Sequence, residues 1–263
     1  MPPEHHVEPL KWFPEHERSE WFHERYEDAA NEVIEYFGRD FISLTGADVA
    51  DIGCGDGFID LGVAHKALPA RLVGFDTRPT DVEQLARIAA EEGVAGPSPV
   101  LSFKTSEPNR LPSPAAAFDA VFSWSVLDHV GDPVAIIREI HRVLRPGGHL
   151  MIQLYPFFYS QHGSHLEQWF PEGFAQFRYS DEDLEQRVRA DPGPDPGWAE
   201  QMLWTYRNLN KLTLDQLQEA LAEAGFEVLR LALITADTHL APEVAHMPLS
   251  LIGIEGVKLL ARA

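Results

Sequence analysis

Short apolar runs alternate with stretches of helical spacing along the first 154 residues. Val49-Ala50-Asp51-Ile52, Arg71 to Asp76, Val100 to Lys104, the apolar run that starts at Phe118 and His149 to Leu154 read as strands. Phe58 to Leu68, Pro79 to Glu92 and Pro133 to Leu144 read as the helices between them. Strands alternating with helices predict an α/β chain with a doubly wound, mostly parallel sheet. An earlier helix is expected from Ser19, where Trp21, Phe22, Tyr26, Ala29, Val33, Ile34 and Phe37 recur at helical intervals. From Tyr155 to Asn210 the alternation stops. This stretch holds Phe157, Phe158, Tyr159, Trp169, Phe170, Phe174, Phe177, Tyr179, Trp198, Trp204 and Tyr206, with a Pro/Gly hinge at 191–197. Thr213 to Gly225 is then an amphipathic helix ended by glycine. Phe226 to Ile234 and Leu251 to Leu260 are the last two strands, and 235–249, with His239 and His246, is an irregular loop.

The first strand runs into Asp51-Ile52-Gly53-Cys54-Gly55-Asp56-Gly57 and then into a helix. Glycine at 53, 55 and 57 admits positive φ and close approach of a ligand to the backbone, and the following helix offers free N–H groups and its positive dipole end. The spacing is G-x-G-x-G, whereas a dinucleotide site has G-x-G-x-x-G. Asp51, two residues before Gly53, repels a pyrophosphate and attracts an ammonium. The second strand also ends in an acid, Asp76, nineteen residues after Gly57. At the carboxyl end of a parallel strand, such an acid can accept both ribose hydroxyls, or it can cap the helix that follows.

The glycine turn resembles motif I of the class I S-adenosylmethionine-dependent methyltransferases. Phe118-Asp119-Ala120-Val121-Phe122-Ser123-Trp124-Ser125-Val126-Leu127-Asp128-His129-Val130 resembles their fourth strand and its turn, followed by Asp132-Pro133, a helix and Arg145-Pro146-Gly147-Gly148 before strand five. The order and separation of these segments over 47–154 carry the resemblance. It implies a seven-stranded Rossmann-like sheet completed by an antiparallel last strand, with S-adenosylmethionine as cofactor. The amino-acid end of the cofactor would lie at Asp51, Gly53, Gly55 and Gly57, its ribose at Asp76 and its adenine near Glu107. Ser123, on strand four, counts with these cofactor-facing residues. Pro108 departs from the pattern, since it has no N–H for the ring. The expected organisation is an N-terminal helical lid (1–46), a cofactor-binding core (47–155), an acceptor-binding cap inserted after strand five (156–210) and the rest of the core (211–263). The cap segment also reads as a dimerisation arm.

Composition narrows the partners. The chain has 263 residues and a net charge of −20, with no basic cluster to offset that field, so a nucleic-acid acceptor is not expected. No membrane-spanning run and no signal peptide are found in the sequence, and a cytoplasmic protein is expected. Cys54 is the single cysteine, which fits a reducing compartment.

Methyl transfer from a sulfonium mainly requires positioning of two reactants, and an alcohol acceptor also requires a base or a metal to take its proton. Candidate bases are His162 and His165, just after strand five, and Asp128 and His129, just after strand four. His162, His165, Glu167 and Asp128 also offer ligands for a metal, and Mg²⁺ is a candidate second cofactor because some sugar O-methyltransferases resembling this family use it. The expected function is O-methylation of a small polar acceptor. A saccharide or glycoside suits the aromatic, histidine-bearing cap, in a homodimer or larger homo-oligomer. The alternatives are C- or N-methylation of a quinone, polyketide or amine, and a non-catalytic cofactor-binding or assembly subunit.

Overall fold

The computed structural model describes residues 15–193, 196–235 and 237–263. The start of the expected lid (1–14), Pro194 and Asp195 of the hinge, and Ala236 lie outside the described residues. The apolar runs form β1 (Asp48–Ile52), β2 (Arg71–Asp76), β3 (Leu101–Thr105), β4 (Phe118–Trp124), β5 (Leu144–Leu154), β6 (Glu227–Ile234) and β7 (Gly256–Arg262). Among the described residues these make one seven-stranded sheet in the order β3-β2-β1-β4-β5-β7-β6. β1 to β5 are parallel, and β7 runs antiparallel between β5 and β6. The strand order reverses between β1 and β4, so their carboxyl ends flank the crevice where such sheets bind ligands.

The expected last strand is corrected at its start. Leu249–Ile252 is a short helix, and the strand begins only at Gly256. A Cβ at Gly256 would lie 2.5 Å from the Leu154 carbonyl, so close packing sets the entry of β7. Helices α3 (Phe58–Ala67), α4 (Val82–Glu91), α5 (Pro133–Val143) and α9 (Leu214–Ala224) cover the sheet. α5 starts as expected, with Asp132 accepting from the Ala135 amide at 2.9 Å and proline at the first turn. It ends at Leu144, whose backbone is already extended, ahead of Gly147 and Gly148. α9 has a reciprocal capping box between Thr213 and Gln216 and a left-handed Gly225 at its end.

The first helix is α1 (Glu15–His23), continued through a π-helical turn (Glu24–Ala29) into α2 (Ala30–Gly38). It packs on α3, where Gly62 makes room. A Cβ there would lie 2.3 Å from the Tyr26 carbonyl. That carbonyl, within the π turn, accepts from Lys66 Nζ at 2.7 Å. Phe22 stacks on Tyr26 and meets Phe58 edge to face, and Tyr36 donates to the Lys258 carbonyl on β7. Away from the crevice, Arg145 binds both Asp48 and Asp119 and ties the amino ends of β1 and β4 to β5.

The segment between β5 and α9 folds into α6 (Ala175–Arg178), α7 (Asp181–Ala190) and α8 (Pro196–Asn208). Its apolar residues form a cluster of their own, from Leu166, Trp169, Phe170, Leu184, Val188 and Leu203. Phe157 joins the main core, and Phe174 packs with Val244 and Ile252 of the late loop.

Candidate active site

The glycine turn follows β1 because the Gly53 and Cys54 amides both bond the Phe75 carbonyl of β2. Gly53, Gly55 and Gly57 all have positive φ, at 84°, 52° and 81°. Each has its own reason. A Cβ at Gly53 would lie 2.3 Å from Val126, just past β4, and one at Gly57 would lie 2.7 Å from Phe103 of β3. Gly55 is exposed with nothing within 4 Å of a Cβ, which leaves its backbone open to a ligand. Cys54 is buried beneath the turn, and burial pushes its thiol far above the thiol range. It is a packing residue without thiolate character.

The acids of the crevice divide into buried and accessible. Asp76, at the end of β2, is half-buried and accepts from the Gly55 amide at 3.1 Å and the Arg78 amide at 2.9 Å. It does not cap the next helix. That position belongs to Asp81, which accepts from the Gln84 amide, because α4 begins at Val82 rather than Pro79. Asp51 is 2 % exposed and Asp60, in the first turn of α3, is 0 % exposed. Burial and then the neighbouring Asp60 carboxyl push Asp51 well above the usual carboxylate range, and burial raises Asp60 to about 7. Asp56 accepts from Trp21 Nε1 at 2.9 Å and from the Phe58 amide at 3.1 Å, so the N-terminal helix touches the turn itself. Burial raises Asp56, opposed by these two bonds and by the Arg25 cation. The Arg25 guanidinium lies 3.3 Å from the Trp21 ring centre.

Ser123 is 1 % exposed, and its hydroxyl donates to the Ile52 carbonyl at 3.0 Å. It joins β4 to β1 below the crevice floor. Glu107 is exposed just after β3, in a tight turn closed by backbone bonds with Arg110. An open glycine turn, an acid at the end of β2 and a buried acid below the turn fit S-adenosylmethionine, whose charged amino-acid end and ribose need such groups.

Past β4 and β5 the structure brings three of the four candidate catalytic residues together. Asp128 is 4 % exposed, with Oδ2 at 3.0 Å from His165 Nε2 and 3.4 Å from His129 Nε2. The two imidazole centres are 5.1 Å apart. His165 sits at φ +59°, a left-handed conformation that costs a side-chain-bearing residue roughly 1–2 kcal/mol. That backbone turn delivers its ring to Asp128. His129 is held below the ordinary histidine range by burial, against the pull of Asp128; His165 and Arg78 push the same way as burial. The proximity of Arg78 joins this cluster to the Asp76 side of the crevice.

His162 shares the turn, its carbonyl accepting from the His165 amide, but its ring does not reach Asp128. Its Nδ1 is buried without a partner. Glu167 is exposed and stands apart from the cluster. Asn210 supports the arrangement, with its side chain donating to the Leu127 and Val130 carbonyls and its amide to the Asp128 carbonyl. Sequence reading missed Asn210, Asp60 and the Trp21–Asp56 bond. A polar residue in the loop after a helix, an acid in an apolar helix turn and an aromatic in a leading helix carry no motif.

Comparison with known proteins agrees with this architecture. A family profile described as a methyltransferase domain matches residues 21–231. A ubiquinone biosynthesis O-methyltransferase of Xanthomonas oryzae pv. oryzae is 34 % identical over 111 residues, 42 % of this chain and 44 % of that protein. The chain thus spans less than half the length of that curated relative. An S-adenosylmethionine-dependent methyltransferase of Mesorhizobium loti superposes with a TM-score of 0.54 at 19 % identity, over 87 % of this chain and 96 % of that one. The [4+2]-cyclase SpnF superposes at 0.55 and 21 % identity, over 90 % and 81 %. With the profile covering most of its length and the seven-stranded sheet in place, the chain belongs to the methyltransferase-domain family of class I, S-adenosylmethionine-dependent fold.

Proposed function

We propose that this protein transfers a methyl group from S-adenosylmethionine to a hydroxyl of a small acceptor, with His165 as the base and Asp128 as its orienting partner. The observation that carries the reading is the 3.0 Å contact between His165 Nε2 and the buried Asp128 carboxylate, beside Arg78 and the cofactor crevice. A proton on Nε2, donated to Asp128, leaves Nδ1 as the acceptor for a hydroxyl proton. Asp128 then stabilises the imidazolium that forms. The cofactor, when bound, supplies an electrophilic methyl, and the protein need only align the acceptor oxygen with it. Gly53, Gly55 and Gly57 would hold its amino-acid end with Asp51, Asp76 its ribose and Glu107 its adenine edge.

For the acceptor, a phenolic hydroxyl is favoured over a saccharide. The saccharide reading needs aromatic faces open to solvent. Trp169, Phe170, Phe174, Phe157 and Phe158 are instead 7 % exposed or less. Among the described residues from Tyr155 to Tyr206, the large apolar side chains most open to solvent are Tyr155 and Trp204, at 37 % and 45 %. The aromatics there chiefly build a core. A phenol also loses its proton more readily than a sugar hydroxyl, which suits an imidazole base, and the Xanthomonas relative is named for O-methylation. We further propose that 156–210 is the acceptor-side cap and that α1 and α2 form the cofactor-side lid.

A second reading rests on the same cluster. Asp128, His129 and His165 place one ligand atom each within 4.8 Å of one another. Two imidazoles and one carboxylate suit a borderline ion such as Zn²⁺ better than Mg²⁺, which prefers oxygen donors. The test is methyl transfer from labelled S-adenosylmethionine to a panel of catechols, phenols, glycosides and amines, with and without chelator. Transfer to phenols that survives chelation and is lost in His165→Ala supports the base. Chelator-sensitive transfer supports the ion, and transfer confined to glycosides or amines overturns the acceptor assignment.

A further inference from the structure

We propose that Asp51 and Asp60 share one proton beneath the glycine turn, and that the ammonium of the cofactor's amino-acid end expels it on binding. Asp60 is thereby a positioning residue that sets the charge of Asp51. The inference rests on the cofactor assignment and is independent of the acceptor.

Asp60 lies in the first turn of α3, among Phe58, Ile59, Leu61, Val63 and Ala64, all buried. It does not cap that helix, whose N-cap is Gly57 with no side-chain bond. Its two oxygens and Asp51 Oδ1 are buried without a hydrogen-bond partner, and Asp51 and Asp60 are close enough that each carboxyl acts on the other. Two carboxylates facing each other out of water, with no donor between them, cannot both stay ionised. One proton converts the contact into a charge-assisted O–H···O⁻ bond and satisfies both sides.

Among the described residues the surroundings supply no countercharge. The charged neighbours that act on the pair are acids, Asp76 of β2 on both carboxyls and Asp56 of the turn on Asp60, while the Ile52 amide favours the ionised form of Asp51 and the Asp60 amide that of its own side chain. The Arg25 guanidinium, over the Trp21 ring, acts on Asp56. Among the described residues no cation is seen to act on the pair, and the ammonium would provide a positive charge at this point. Its arrival favours the doubly ionised pair, and the proton leaves to solvent. Direction follows by linkage. Proton release on binding makes affinity rise with pH.

Titration calorimetry at pH 7.0, in phosphate and in Tris, counts the protons through the difference in buffer ionisation enthalpy. S-adenosylmethionine and S-adenosylhomocysteine are the probes, because the second keeps the ammonium and lacks the sulfonium. The wild-type protein should release about 0.5–1 proton with either probe, and affinity should strengthen several-fold between pH 6 and pH 7. Asp60→Asn, which can donate to an ionised Asp51, should bind both probes with release near zero and a flat pH dependence. Binding of both probes to the wild type without proton release would overturn the proposal, and so would release with S-adenosylmethionine alone or undiminished release in Asp60→Asn. The wild-type result stands on its own if that variant does not fold. An absence of binding by either probe would remove the cofactor assignment, and this inference with it.

Discussion

Asp128→Asn isolates the contact on which the proposed chemistry depends. The substitution keeps the shape of the side chain and removes its charge, so His165 Nε2 loses a charge-assisted partner at 3.0 Å. The main chain should hold, because the 127–130 turn is fixed by Asn210 through backbone carbonyls. A hydrogen bond to a charged group contributes about 1.5–3 kcal/mol, and at 4 % exposure water does little to screen this one. That loss corresponds to a fall in kcat of roughly 10–150-fold. His165→Ala removes the base itself and should cost about 10²–10⁴-fold. Both variants should bind cofactor as the wild type does. Single-turnover transfer of labelled methyl, followed from pH 5.5 to 9, separates the terms. Loss of the nearby negative charge disfavours the imidazolium, so the acid limb of the Asp128→Asn rate profile should move to lower pH. A kcat within threefold of wild type in Asp128→Asn, with His165→Ala strongly impaired, would break the link between the two residues. Near wild-type rates in both would move the base elsewhere, with His129 and then His162 the next to test.

Asp76→Ala should weaken cofactor binding by about 2–4 kcal/mol if both ribose bonds are lost; unchanged affinity by calorimetry would confine Asp76 to bracing Gly55 and Arg78. Trp21→Phe keeps an aromatic face for Arg25 and removes the donor to Asp56, so stopped-flow should show faster cofactor release with little change in Tm if the helix acts as a lid. Asp60→Asn should also alter stability with pH. The folded chain keeps a proton up to about 7 that the unfolded chain gives up near 3.8, so this group's stabilising contribution falls as pH rises through that interval. Urea titrations should therefore show the variant gaining on wild type between pH 4 and pH 8, by at most roughly 4 kcal/mol. An equal gap at both pH values would mean that the carboxyl is not protonated in the fold.

The core was legible in the sequence because its elements are short and periodic. β1 and β2 end where a glycine and an acid interrupt apolar runs, and Asp132 and Thr213 cap their helices with the bonds their side chains predict. What failed did so at contacts between distant segments. Asp76 was open to a capping role until α4 was seen to start three residues later, with Asp81 at its cap. The β7 boundary moved because Leu251 and Ile252 are apolar in helix and strand alike, and only packing against Phe174 and Val244 selects the helix.

Aromatic content suggested a stacking surface for sugars, yet composition cannot distinguish rings that face a ligand from rings that face each other. An insertion of over fifty residues whose helices pack mainly on one another must bury its own apolar surface to be stable. Trp169, Phe170, Leu184 and Val188 meet that need first. The polar residues that the insertion presents at the strand ends do other work: Asn210 holds the backbone of the 127–130 turn, and His165 places its ring on the Asp128 carboxylate. Its positive φ is the sign that the backbone there is shaped around the side chain. A glycine at 165 would relieve the turn and delete the imidazole together. A stabilised but inactive His165→Gly variant, beside a less stable and equally inactive His165→Ala, would show that strain at this turn is retained for the ring it presents.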